Sequence, residues 1–466
     1  DIFIAIDHSN RELAEAFIEN VTSRMGLETS VDGDFTIYSG NNGMLNIGVN
    51  SDAIYLVSER DYLPINGNPA NSLSADTNFQ KAVGALPAPN YNILLASDTS
   101  LFIQAIDNNR SSTRDLVRGL LPNAYTAMGA TIVNSTSPTL DIAQVGLPAE
   151  FVSLINTPID PVFAQSIPAN ATGVIHGTTL IAPYNALIDL VSAQTGQDLR
   201  AQLNQAQAIF GFDVIELLFS GDFATYFTYK PEGIVAMMNQ QLEALETSPY
   251  GFTTLNVENV LDMGIIFEIS NSDQAQSLID QMANLYGMLG ANTGVTITRE
   301  EIAGGNALIL TLSSSGMENL DVVVGTNDTL FVIGTRQSAT AILNGDGGFD
   351  SNPFYQNSLR YTLPTMTHYW FLDRNIVTAT GGILDLLSPQ IGMVFASIND
   401  TLVTPNPTDV ALQEERLREQ NRQSVLSAIA FNDGAQNIAQ IFDNASVSVS
   451  SKEGILFVRA VITLSE

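Results

Sequence analysis

The three histidines are the first place to look for chemistry, and their spacing offers little. His8, His176 and His368 lie far apart in the chain, each in or beside an apolar stretch that reads as a strand. None belongs to an HExxH-type pair, so a zinc site would need the fold to gather them with carboxylates. The plain reading is three packed or surface side chains. The chain contains no cysteine, which removes thiol catalysis and thiolate metal sites. No G-x-S-x-G elbow presents a serine nucleophile, and no Gly-Lys-Ser/Thr phosphate loop occurs. Ser313-Ser314-Ser315-Gly316, Gly304-Gly305 and Gly345 to Gly348 read as turns. Any two of the 49 acids could face each other as a glycosidase pair, yet no aromatic-rich platform surrounds Trp370, the only tryptophan.

Calcium is the ligand that the remaining oxygen donors suit best. Asp32-Gly33-Asp34 and the loop Asn344-Gly345-Asp346-Gly347-Gly348-Phe349-Asp350 combine carboxylates and amides with glycines that permit tight turns. The candidate metal ligands are therefore Asp32, Asp34, Asn344, Asp346 and Asp350. Neither cluster follows EF-hand spacing, and such sequences also serve as ordinary turns. No catalytic residue and no organic cofactor is assigned, and the chain is not expected to be an enzyme.

The elements that would position these residues occur twice. NIGVNSDAIYLVSER at 46–60 reappears as LDVVVGTNDTLFVIGTR at 320–336, each with a polar turn between two apolar strands and a closing arginine. Upstream, FIAIDHSNRELAEAFIENV parallels IIFEISNSDQAQSLIDQMA, a strand followed by an amphipathic helix. Downstream, Phe79 before Leu86-Pro87 parallels Phe354 before Leu363-Pro364. A duplication of this kind implies a repeated structural unit. The first module is read as 1–165, apparently lacking its front half. The second is read as complete at 166–466, with its front half at 166–260 and its repeat-matching half at 261–466. Successive short strands joined by Gly/Asn turns predict antiparallel sheet. The expected fold class is α+β, a duplicated antiparallel module with helices packed on one side.

Composition narrows the partners. Charged residues are 14% of the chain, against about 25% in ordinary domains, and only three are lysines, Lys81, Lys230 and Lys452. The net charge of −31 repels nucleic acid and anionic lipid surfaces. No stretch approaches the roughly 18 apolar residues that span a bilayer; the longest candidates, such as Asp213–Phe219, have the length of a core strand. The chain starts at Asp1 and not at Met, which is read as a leader or upstream segment left out of this sequence, and a membrane contact is expected only through such an anchor. The charge-dense stretch 404–423 reads as a solvated helix capped by Thr408 or Asp409.

The order SGDFATYFTY, GIIFEISNSDQAQSLIDQM, EEIAGGNALILTL, VGTNDTLFVIGT, NPFYQNSLRYTLP and SVSVSSKEGILFVRAVITL resembles the bacterial exported proteins grouped as domain-of-unknown-function family 3352. The resemblance covers most of 166–466 and part of 1–165. It implies an extracytoplasmic, often membrane-anchored protein with a repeated α+β module, located at the cell surface or secreted, and it implies no activity.

Two functions follow as expectations. The first is a non-enzymatic structural or interaction protein of the cell envelope, self-assembling or partnered by other envelope proteins. In it, Asp1–Asp7 would lie at a sheet edge left open by the missing front half and would recruit a neighbouring strand. The second is an exported binding module for a lipid, peptide or glycan. There, apolar residues at helical spacing in Leu278–Leu289 and Val377–Leu387 would enclose the ligand against the sheet.

Overall fold

The computed structural model describes residues 3–23, 25–40, 45–57, 60–65, 76–88, 90–99, 123–132, 136–153, 155–247, 256–289, 295–312 and 319–377, then 415–416, 418–419, 421–423, 425–427, 429–430, 434, 436–437 and 439–465. These residues hold eighteen strands whose described pairings are all antiparallel, together with helices, which makes the chain α+β as expected. It divides into two compact units. Unit 1 comprises Asp1–Pro158, Thr362–Thr367 and Val447–Thr463; unit 2 comprises Ile159–Tyr361, His368–Ser446 and Leu464–Glu466. The division falls near the expected boundary at 165/166, but residues Val447–Thr463, read from sequence as the close of the second module, belong to unit 1.

Unit 1 opens with β1 (Phe3–Asp7), α1 (Arg11–Thr22), β2 (Glu28–Asp32), β3 (Phe35–Ser39), β4 (Asn46–Val49) and β5 (Ala53–Val57). It continues with α2 (Thr77–Ala85), β6 (Ile93–Asp98), β7 (Tyr125–Thr131), β8 (Thr139–Val145) and the short α3 (Ala149–Ser153). The pairings run β2-β3-β4-β5-β1-β6-β7-β8, and beyond β8 the residues Leu456–Val461 of the chain's last strand complete the row. α1 starts where the Asn10 side chain accepts from the Leu13 N–H. Its spacing buries Ala14, Ile18 and Thr22 against Tyr38, Ile47, Val49 and Ile54. α2 starts on the Asp76 carboxylate, which accepts from the Asn78 and Phe79 N–H groups. It packs Ala82 and Leu86 on Ala127, Ala143 and Val145, where small side chains let helix and sheet approach closely.

Unit 2 begins with β9 (Gly173–Gly177), α4 (Ile181–Thr195), α5 (Leu199–Gln207), α6 (Val214–Phe219), β10 (Phe223–Tyr229) and α7 (Pro231–Thr247). β11 (Leu261–Glu268), α8 (Ser272–Leu289), β12 (Val295–Ile302), β13 (Gly305–Leu312), β14 (Leu320–Thr326) and β15 (Leu330–Thr335) follow. α9 (Arg336–Leu343), α10 (Pro353–Leu359) and β16 (His368–Asp373) come next. The strand order is β12-β13-β14-β15-β11-β10-β9-β16. The β12–β13 hairpin turns through Ala303 and Gly304, both at positive φ (53° and 81°), the pairing of values that matches strand twist in a tight hairpin.

Three expectations change. Of the stretch Asp1–Asp7, the described Phe3–Asp7 is not an open edge: β1 pairs with β5 on one side and β6 on the other, with Ile4, Ala5 and Ile6 bonded to both neighbours. A strand hydrogen-bonded on both sides has no free backbone groups for a third partner. Second, helices cover both faces in place of one. Val324 packs with Leu278 and Ile279 of α8, while the Cα of Gly325, the next residue along the strand and so facing the other way, is approached by Leu343 of α9. Third, Asp213–Phe219 is helical, because the Asp213 side chain accepts from the Ile215 and Glu216 N–H groups and so starts α6.

Candidate functional site

The central strands of unit 2, β9, β10, β11 and β16, carry apolar residues on both faces, and only one face is fully covered. Cross-strand partners share a face, so the register places Trp370, Ile175, Thr225, Ile265 and Ile333 in one row across β16, β9, β10, β11 and β15. A parallel row holds Leu372, Gly173, Phe227 and Met263. The residues alternating with them are deeply buried: Val174, Tyr226, Ile266, Val332, Tyr369 and Phe371. The rows themselves stay open. Trp370 is 49% exposed, Met263 45%, Ile175 43%, and Ile265 and Leu372 36% each. At the far end of the same face, α8 and α6 cover Phe267, Phe331 and Val324. Where the helices stop, a concavity of about 960 Å³ remains.

No charged side chain lines this concavity, which also includes Val257, Leu261, Leu320, Val322 and Ile376. Gly173 is needed at its floor, because the Phe227 ring lies over the glycine where a Cβ would come within 2.2 Å of it. Thr225, Tyr226, Tyr229 and Thr335 are its hydroxyl-bearing lining residues, with the Tyr226 ring turned to the opposite face of the sheet. Tyr226 and Thr335 belong to a buried polar network. Thr335 Oγ1 donates to Asp262 Oδ1 at 3.1 Å, and the Tyr226 hydroxyl donates to Ser338 Oγ at 2.8 Å. Thr335 Oγ1 and Ser338 Oγ are 3.0 Å apart. Lys230 Nζ closes the network at 2.7 Å from Asp262 Oδ2 and donates to the Glu258 carbonyl at 2.7 Å. Burial pushes the Tyr226 phenol up to about 12. The network ties α9 to β10, β11 and β15, and its lysine lies against the Asp262 carboxylate.

The histidines are packed as the sequence suggested. His176 Nε2 lies 3.0 Å from the Asp222 carboxylate, with its ring 5.2 Å from that of Phe163, and the same carboxylate oxygen accepts the Asp160 N–H at 2.7 Å. Burial, and then the proximity of His176, push the His368 imidazole below its ordinary value. His8 Nε2 bonds the Asn50 carbonyl at 3.0 Å. In unit 2, burial raises the Asp373 carboxyl to about 7, against the opposing effect of the Asn375 backbone N–H that it accepts.

The calcium candidates lie in two places. In unit 1, Asp32 pairs with Arg60 at 3.1 Å. Asp34 accepts from Ser51 and pairs with Arg11 at 2.8 Å, contacts that hold its carboxyl below the usual range. In unit 2, Asn344 ends α9, the Asp346 N–H donates to the Ala341 carbonyl, and the Asp350 carbonyl accepts from the Gln356 amide. That loop is docked by the Gly348 and Phe349 N–H groups on the Gln165 and Ile167 carbonyls. Among the described residues no group of three or more His, Asp or Glu side chains is arranged to hold a metal ion.

The concavity differs from the ligand site expected between helix and sheet. Leu278 and Ile279 are core, and Val377–Leu387 lies outside the described residues apart from Val377. The signal in the sequence was the unbroken apolar character of GVIHG, GIIFE and HYWFLD, which leaves no polar face to send to water. The stretch 404–423 lies outside the described residues up to 414; its described remainder is helical, with Glu419 and Arg422 exposed. No helix among the described residues is long and apolar enough to cross a membrane. No protein-family model matches the chain, and no curated protein and no solved structure matches it. The likeness to domain-of-unknown-function family 3352 therefore rests on the quoted motifs alone.

Proposed function

We propose that the chain is a non-catalytic binding module, and that the open face of unit 2 holds a neutral long-chain lipid or a similar uncharged apolar molecule. The carrying observation is the row of half-exposed Trp370, Ile175, Ile265, Met263 and Leu372 around a concavity without a charged side chain. Its volume falls in the range of small-molecule sites, and an exposed apolar area of this kind marks an interaction surface. A glycan would need convergent polar groups. The Thr335 and Tyr226 hydroxyls already donate within the protein. An anionic head group would meet the field of a chain carrying −31. The composition, poor in lysine and rich in uncharged polar residues, supports the extracytoplasmic setting that the resemblance implies.

Trp370, the only tryptophan, supplies the readout. Titration with a monoacylglycerol is expected to shift its emission to the blue with saturation, and native mass spectrometry is expected to show the bound lipid. The Ile265→Lys and Met263→Asp variants should lose both signals by tenfold or more. A Trp370 spectrum that the lipid leaves unchanged, with no retained mass, sinks the reading.

A further inference from the structure

α1 carries an apolar stripe that its counterpart in unit 2 does not leave open. The two helices correspond residue by residue from their caps, since Asn10 accepts from the Leu13 N–H as Asn271 accepts from the Gln274 N–H. The strands before them keep the same register, with Asp7 opposite Ala53 and Glu268 opposite Leu330. The inward residues then agree: Ala14 and Ile18 are 7% and 5% exposed, Ala275 and Ile279 fully buried. The next face does not agree. Phe17 is 62% exposed where Leu278 is 4%, and Val21 is 47% exposed where Met282 packs into the core. Leu13 at 69% extends the stripe. Residues four apart lie above one another on a helix, so Leu13, Phe17 and Val21 form one continuous ridge.

The covering piece in unit 2 is the segment Phe210–Phe219. Leu217 of α6 packs on Leu278 and Ile279, with Phe210, Phe212, Val214 and Leu218 around it. Gln281 Nε2 anchors the segment by donating to the Phe210 carbonyl at 3.1 Å. The position of Gln281 is held in α1 by Asn20, which is exposed and still carries an amide able to make the same bond.

We infer that the α1 ridge is a docking surface for a short amphipathic helix of a partner polypeptide, with Phe and Leu side chains spaced as in Phe210–Phe219. A second copy seated ridge to ridge fits less well, because two chains that each carry a net charge of −31 repel one another. The mode is helix against apolar groove, with anchors at i, i+3 and i+4.

The test uses the whole chain and a fluorescein-labelled peptide of residues 208–221. Anisotropy is expected to rise with saturable binding, and Phe17→Asp should weaken that binding at least tenfold. Asn20→Ala should weaken it less. Because Phe17 faces solvent, Phe17→Asp should keep the parent's circular dichroism and melting temperature, which separates lost docking from lost folding. Absence of saturable binding, or binding that Phe17→Asp leaves unchanged, overturns the inference. So does a concentration-dependent dimer that Phe17→Asp abolishes, since a second copy would then be the occupant. The lipid site lies on unit 2, and lipid binding by the Phe17→Asp variant is expected to match the parent.

Discussion

The two units build one five-strand arrangement and then diverge where the next strand is taken from. β2-β3-β4-β5-β1 in unit 1 and β12-β13-β14-β15-β11 in unit 2 have the same order and register. Beyond β1 the row continues straight to β6, which follows α2. Beyond β11, β10 and β9 are interposed before β16, which follows α10. In the sheet without the two interposed strands the flanking strands pair directly, so β1 has no open backbone edge. What differs between the units is the side-chain cover. The segment that precedes β10 also roofs α8, and α1 has no such roof among the described residues. Backbone pairing tolerates either arrangement because any extended strand satisfies the next one. A helix ridge needs a partner of particular shape.

The largest effect should come from truncating matched positions on the two helices. Leu278→Ala removes a buried side chain from the core under α6 and is expected to cost about 3 kcal/mol. Phe17→Ala, at the corresponding place on α1, should fall within about 0.5 kcal/mol. Urea denaturation followed by circular dichroism measures both, and Trp370 fluorescence reports unit 2 alone. Equal losses at the two sites would break the comparison, because Phe17 would then be buried in solution.

Next come the buried ion pairs, one in each unit. Asp141 is 1% exposed, bonded by Arg459 at 2.6 and 3.0 Å and by the Tyr91 hydroxyl at 2.8 Å. Asp262 is 5% exposed and held by Lys230. Removing the cation leaves a buried carboxylate unpaired, so Arg459→Met and Lys230→Met should each cost about 3 kcal/mol. Each carboxylate keeps one hydroxyl donor, Tyr91 for Asp141 and Thr335 for Asp262, so the two losses should be of similar size. Melting temperatures of the two variants check the match.

Much of this was legible residue by residue, and the failures have physical causes. The strand–turn–strand repeat is carried by Asn50 and Asn327, whose side-chain oxygens accept from N–H groups two and three residues on, so short-range pattern sufficed. VIELLF at 214–219 is too short to show a helical period and reads as a strand unless Asp213 is recognised as a cap. Which strand lies beside β1 or β11 depends on a choice between partners distant in sequence, which hairpin-level signals do not carry. The open face was written in GVIHG, GIIFE and HYWFLD, yet an all-apolar strand states only that both faces avoid water, not that one of them stays open. The calcium loops show the limit of composition: Asp32 and Asp34 looked like ligands because the arginines that engage them come from α1 and from Arg60.

Buried acids offer a third contrast, expressed through pH. Asp141 has an arginine, whereas Asp373 does not, because the Arg374 guanidinium is turned toward Asp443 and the Phe354 ring. Burial raises the Asp373 carboxyl to about 7, above its value in the unfolded chain. The folded state therefore prefers the protonated acid. Its contribution to stability is complete below about pH 4, declines as the pH rises toward 7, and is flat above that. Asp373→Asn should remove this slope and raise stability at pH 8 by about 2 kcal/mol relative to the parent. Urea midpoints at pH 5 and pH 8 measure it; a parent whose midpoint rises over that interval, with no difference in the variant, would show that other groups set the slope.

The smallest effects lie in the matched turns. Asn50 Oδ1 accepts from the Asp52 and Ala53 N–H groups, and Asn327 Oδ1 accepts from the Thr329 and Leu330 N–H groups. Either Asn→Ala change removes those acceptors and should cost about 1 kcal/mol. Aspartate tells the turns apart. At 50 Asn50→Asp keeps the oxygen that the turn uses and gives up the amide's contact with the Tyr55 hydroxyl, so most of the stability should return. At 327 the amide nitrogen also donates to the Leu343 carbonyl at 3.1 Å, at the last turn of α9. Asn327→Asp loses that bond and sets a negative charge against the carbonyl end of a helix, both unfavourable. Rescue by aspartate at 50 and not at 327 would show that the two turns share their backbone geometry but not their tertiary duty, and rescue at both would mean that the bond to Leu343 contributes nothing measurable.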